Sequence, residues 1–151
     1  MAEIGLAASV IAVIQISEDV ITRAYEYGKA VKNAGNDLNK MNKDLQDVLE
    51  ILKKLERLAK RAEASEISLT SWPTLKSLKQ KNGPLSQCKS ALISLQVALA
   101  PVEGLAKLKR RLLWPHKAKN VEKLIEAINT QKKYFMEKLR IDEAYVDTPI
   151  F

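Results

Sequence analysis

The chain has 151 residues, within the roughly 100–200 typical of a single domain. Lys and Arg number 25 against 18 Asp and Glu, a formal net charge of +7, and 46% apolar with 28% charged residues describe a packed globule rather than a disordered chain. One cysteine (Cys88) excludes an intrachain disulfide and points to a reducing compartment, one histidine (His116) excludes a Cys/His zinc site, and few glycines, prolines and aromatics leave little material for a multi-stranded sheet.

Residues 1–33 read as a first helix of unusual character. From Ile4 to Ile16, ten of thirteen residues are apolar; the exceptions are Gly5, Ser9 and Gln15, and none is charged. A helix apolar on all sides is either buried all round or lies in lipid. Val10, Ile11, Val13, Ile14 and Ile16 are β-branched and would also suit a strand, but no partner strand is visible elsewhere. Glu3 stands where a secretory signal needs a basic flank, and no A-x-A-like cleavage site follows. As a helix the apolar run is about 20 Å long, short of the roughly 30 Å hydrocarbon core of a bilayer. Extending it to Tyr27 brings in Glu18, Asp19, Arg23 and Glu26, which are costly in lipid unless paired or facing water. The segment is therefore a poor lone span, yet one that an oligomer accommodates. Gly5 with Ser9 and Ala8 with Ala12 place small residues four apart, which lets helix backbones approach closely. At rest the simplest place for this helix is the centre of the core.

Segment 36–64 carries the clearest period. Leu38, Met41, Leu45, Val48, Leu52, Leu55, Ala59 and Ala62 alternate steps of three and four, a heptad seam, and Leu49 and Leu58 widen it towards a bundle face. Asn36 or Asp37 is the expected N-cap. A short helix is expected after Pro73, through Leu75 and Leu78. Segment 84–100 repeats the spacing with Leu85, Cys88, Leu92, Leu95 and Leu99, opened by Pro84 and stopped by Pro101. Segment 116–143 sets Val121, Leu124, Ile125, Ile128, Phe135 and Leu139 on one face, with the Lys132 stem expected along the core edge. Together these predict an all-α domain over 1–144: an up-and-down bundle of four long helices plus one or two short ones, with 145–151 as a tail or the start of a linker.

The charge is uneven. Residues 1–20 sum to −3, residues 53–61 to +4 through Lys53, Lys54, Arg57, Lys60 and Arg61, and residues 101–120 to +5. The expected loop 107–119 mixes Lys107, Lys109, Arg110, Arg111, Lys117 and Lys119 with Leu108, Leu112, Leu113 and Trp114. That mixture suits an anionic membrane surface, at about 1 kcal/mol per well-placed cation. It would also suit phosphate backbones, but no nucleic-acid reader motif is present and the aromatics are too few for stacking platforms. The bland alternative is a solvated loop.

No catalytic constellation emerges. His116 has no carboxylate near it in sequence, Cys88 falls in an apolar stripe, and the phosphate-binding, nucleophile-elbow and metalloprotease motifs are missing. An enzyme is not expected, nor a metal or cofactor.

Several pieces together resemble the HeLo-like N-terminal domain of fungal STAND proteins, the NOD-like receptors of fungi. They are Gly5-Leu6-Ala7-Ala8-Ser9-Val10-Ile11-Ala12-Val13-Ile14-Gln15, then Tyr25-Glu26-Tyr27 and Val31-Lys32-Asn33-Ala34. Towards the end come Leu113-Trp114-Pro115, Glu122 to Ala127 and Gln131 to Phe135. The resemblance implies a helical domain related to HeLo and to the four-helix domain of mixed-lineage kinase-like pseudokinases. It implies a cell-death effector that self-associates when activated by a receptor or by downstream domains of the same chain. Such a domain is cytoplasmic at rest, then moves to the plasma membrane and permeabilises it. The membrane-active element of the family is the N-terminal helix. The expected insertion residues are thus Ile4, Gly5, Leu6, Ala8, Ser9, Val10, Ile11, Ala12, Val13, Ile14 and Ile16. The basic loop is the expected contact with anionic lipid headgroups. The rival expectation is a helical adaptor that oligomerises or docks without making pores.

Overall fold

A computed structural model describes residues 5–64, 78, 82–100 and 105–147, with backbone alone at 32, 105–112 and 141–147. Four long helices result: α1 Leu6–Ala30, α2 Gly35–Ala64, α3 Pro84–Ala98 and α4 Leu105–Asp147, with a 3-10 turn at Lys32–Ala34 between the first two. No strand occurs among the described residues.

Hydrophobic period dictates what each helix buries. In α2 all eight residues of the heptad seam are buried, together with Leu58. In α3, Leu85, Cys88, Ala91, Leu92 and Leu95 are buried, and Leu99 closes the helix from its C-cap. In α4, Val121, Ile125, Ile128, Phe135 and Leu139 face the core, with Leu124 partly buried beside them. The Lys132 stem runs along the core edge and its ammonium reaches Asp47 at 4.0 Å.

Polar contacts give the directions. Gly5 lies beside Glu63, and Gly28 beside Gly35, so α1 and α2 are antiparallel. At that turn the glycines let the backbones meet: a Cβ on Gly28 would stand 3.4 Å from the Gly35 Cα. The Gln131 amide donates to Gln87 at 2.9 Å, and Lys117 donates to the Ala98 carbonyl at 2.9 Å, so α3 and α4 are also antiparallel. Trp114 with Asp37 and Lys132 with Asp47 set α4 parallel to α2. α1 packs on α2 and α3, and α4 packs on α3 and α2. The helices thus close a ring in the order α1, α2, α4, α3, two antiparallel hairpins laid side by side.

Three expectations are corrected. The expected basic loop 107–119 is helix: α4 begins at Leu105, passes through Pro115 and continues through Asp147. Proline removes the N–H that would serve the Arg111 carbonyl. The helix persists because strong formers precede it and because Trp114 is anchored. Its Nε1–H donates to Asp37 at 3.0 Å, and its ring lies 5.6 Å from that of Tyr27. Neither Asn36 nor Asp37 caps α2, which starts at Gly35 directly from the 3-10 turn; Asp37 instead sits in the first turn and receives Trp114. The first helix ends at Ala30, not 33, where Val31 leaves helical geometry and donates its N–H to the Tyr27 carbonyl at 2.8 Å. The short helix after Pro73 falls outside the described residues apart from Leu78, which is buried in the core.

Two substitutions calibrate this core. Phe135 is fully buried, so Phe135→Ala is expected to lower the unfolding free energy by about 3–5 kcal/mol in urea titrations. The buried Tyr27 hydroxyl has no hydrogen-bond partner among the described residues. Tyr27→Phe keeps the ring against Trp114 and is expected to leave stability unchanged or raise it by about 1 kcal/mol.

Candidate functional site

The expected insertion segment is sheltered on one side only. Leu6, Val10, Val13 and Ile14 are buried; Gly5, Ser9, Ile11, Ala12 and Ile16 are half-buried; Ala8 is exposed. Ile4 lies outside the described residues. The segment is therefore not the all-round-buried central helix expected from its composition. Its outward side consists of Ala8, Ile11 and Ala12 with the polar Gln15, all without charge, because four packed helices leave each one an outer face.

Three polar contacts hold α1 in place. Gly5 is the N-cap, and neither a side-chain cap nor an acidic first-turn residue serves this end. The Glu63 carboxylate, from the last turn of α2, accepts the Ala7 N–H at 3.0 Å. Midway, Asp19 accepts from Arg23 Nε at 2.7 Å and from the Gln96 amide of α3 at 2.7 Å, and Arg23 also donates to the Gln96 carbonyl at 3.4 Å. The Asn42 amide of α2 reaches the Ile21 carbonyl at 3.5 Å. The buried Ser17 hydroxyl donates to the Val13 carbonyl at 3.0 Å, so it needs no partner across the core.

The structure separates the two basic regions. Lys117 and Trp114 stand at the end of the bundle where α1 finishes, close to Tyr27, Asp37 and Ala98. The apolar half of α1 is at the other end. Residues 6 and 27 of a helix are about 32 Å apart, so the headgroup residues expected in 107–119 do not adjoin the insertion segment. Lys117 is committed internally, to the Ala98 carbonyl and over the Tyr27 ring at 5.7 Å. Lys119 is exposed. Lys107, Lys109, Arg110 and Arg111 lie on the first turns of α4. The second basic group does adjoin the segment. Because α1 and α2 are antiparallel, with Ala7 opposite Glu63 and Ile21 opposite Asn42, residues 53–61 run alongside the apolar half of α1. Lys53, Lys54, Arg57, Lys60 and Arg61 are all exposed there.

Sequence reasoning passed over the outer face of α3. Lys89 is the only charged residue between 84 and 100. Ser86, Ser90, Ile93, Ser94 and Val97 are exposed, Val97 to 73%. Since α1 and α3 are neighbours, one side of the bundle is sparsely charged, with Lys89 and the charges of α1 beyond Ser17, while α2 and α4 carry the dense charge. The signal was present as a scarcity of charge in 84–100, which the apolar stripe of the same helix obscured.

Other features favour no chemistry. A groove of about 620 Å³ between α2 and α4 has Leu38, Met41, Trp114, Val121 and Ile125 at its base and Lys40, Lys43 and Glu122 at its rim; the mixed signs select no charged ligand. Cys88 is buried, and burial pushes its thiol up to about 12, so it is no ready nucleophile. His116 is exposed on α4 rather than in a loop. Among the described residues no group of three or more His, Cys, Asp or Glu is placed to hold a metal ion. None of the described helices is long and apolar enough to cross a membrane. Comparison of the chain with protein-family models, curated proteins and solved structures finds no match.

The hydrogen bonds from Gln96 and Arg23 hold the Asp19 carboxyl below the usual carboxylate range. A depressed carboxylate contributes stability above its unfolded value, and that contribution is lost as pH falls through the lowered value. Asp19→Asn is therefore expected to flatten the acid limb of the urea midpoint plotted against pH. A limb as steep as that of the parent would show that the contact with α3 carries no stability.

Proposed function

We propose that this domain is a membrane-targeting, membrane-permeabilising cell-death effector whose four helices form an up-and-down bundle, with α1 as the element that enters lipid after self-association. The observation that carries the reading is the uncharged half of α1. Residues 5–17 include no charged side chain although they form part of the bundle surface. A soluble bundle gains nothing from leaving such a strip bare, whereas an interfacial helix needs it.

The neighbouring cations support the same reading. Lys53, Lys54, Arg57, Lys60 and Arg61 are exposed on the stretch of α2 that runs beside this half of α1, so a basic helix adjoins the uncharged strip. Cations at a lipid surface contribute about 1 kcal/mol each. The residues in 107–119 act at the far end, as a second attachment or not at all. Because α1 is too short and too charged beyond Ser17 to span alone, entry is interfacial first and deeper only within an oligomer. The ligand is an anionic lipid surface; the trigger comes from a receptor or from downstream domains of the same chain. The protein rests in the cytoplasm and moves to the plasma membrane when clustered. The adaptor reading draws on a separate observation, the exposed Ile93 and Val97 on α3, which would serve a protein partner equally well.

Dye release from vesicles decides between them. Release is expected from phosphatidylserine vesicles but not from purely phosphatidylcholine ones, and is expected to fall as salt screens the surface charge. Val10 is fully buried, so Val10→Asp would unfold the bundle and report nothing about lipid. Ala8→Asp, at an exposed position, is expected to abolish release while the melting curve stays that of the parent. Intact vesicles under every condition, with cellular activity surviving Ala8→Asp and Ile11→Asp, would leave only the adaptor.

A further inference from the structure

We infer that Glu63 is a latch that holds the N-terminus of α1 against α2 and sets how readily α1 is released; the inference rests on the membrane reading above. Glu63 is poorly placed for its own helix. It lies in the last turn of α2, where carbonyls concentrate negative charge and a carboxylate is disfavoured. Local helix preference argues against an acid there, and a residue that breaks a local rule is expected to have a compensating tertiary contact. That contact is the first turn of α1, which carries the opposite end of a helix dipole, has no cap of its own and has no acid in its first turn. Glu63 accepts the Ala7 N–H at 3.0 Å. One carboxylate thereby relieves both helix ends, but only while they remain together.

Gly5 completes the device. A Cβ at this position would lie 2.8 Å from Glu63 Oε1 and 3.3 Å from its Cδ. The backbone of Gly5 is extended, at φ −62° and ψ 157°, so glycine is not required there for its conformation. Its part is spatial: a Cβ there forces the flexible end of the Glu63 side chain to shift and so loosens its hold on the Ala7 N–H. The latch can therefore be opened from either side: by removing the charge at 63, or by adding a methyl group at 5 with the charge intact. It lies at the end of α1 that is free of charge, so opening it exposes the lipid-seeking half first, while the Asp19–Arg23–Gln96 contacts still hold the other half.

The test combines amide exchange with vesicle leakage on the full chain. Glu63→Ala, which removes the acceptor, is expected to accelerate exchange at Ala7 and its neighbours by about 2- to 30-fold, the range for losing a helix cap, and Gly5→Ala by a smaller factor. Leakage of phosphatidylserine vesicles is expected to rise with them. Both changes break one contact, so the double variant should match the stronger single one rather than multiply the two. Glu63→Ala combined with Gly5→Ser supplies a local cap without the tether. In that variant helix protection is expected to return while leakage stays high, an outcome that a purely stabilising cap would not produce. Unchanged exchange in both single variants, or effects that multiply, would overturn the latch. Faster exchange with vesicles still intact would keep the contact and overturn the membrane reading instead.

Discussion

The architecture depends on one packing interface, the uncharged half of α1 against the heptad seam of α2. α2 is a strongly two-sided helix, with Leu45, Val48, Leu52 and Leu55 buried and lysines, arginines and acids outward. It can bury its seam only against something apolar, and α1 offers Leu6, Val10, Val13 and Ile14 for that purpose. The exchange is not symmetrical. α2 cannot leave the bundle without exposing leucines while carrying charges into any apolar medium. α1 over the same length carries no charge, so its transfer to lipid loses little of what burial supplied. In the proposed function, this interface joins the helix that stays to the helix that is released.

Charge is distributed accordingly. α1 and α3 form the sparsely charged side of the ring, and α2 and α4 the densely charged side. Three discrete polar contacts, at Glu63, at Asp19 with Gln96, and at Asn42, fix α1 to its two neighbours. The first is at the apolar end and the second near the middle, where the charges begin.

Trp114 plays the opposite role at the far end. Its indole donates to Asp37, lies tilted against the Tyr27 ring, and closes the ring of helices where α1, α2 and α4 meet. Lys117 adds a bond to the end of α3 and a cation over the Tyr27 ring. All four described long helices are tied together there by aromatic and charge-assisted contacts. Pro115 is tolerated inside α4 because its neighbour is so firmly placed.

The sequence by itself determined which segments are helical and which residues are buried wherever the apolar spacing was regular. Leu38 to Ala62, Leu85 to Leu99 and Val121 to Leu139 are the cases, since a period near 3.5 has one structural meaning. It also determined that α1 is uncharged over thirteen residues. Only the tertiary structure decided which side of α1 is covered, because a stripe of uniform hydropathy carries no directional information. Pro115 misled the boundary of α4, since the anchor that keeps the helix intact, Asp37, is far away in the chain. The pairing of α1 with residues 53–61 rather than 107–119, and of Gly5 with Glu63, follows from helix direction. Direction is set by packing across the whole bundle, and no local stretch of residues encodes it.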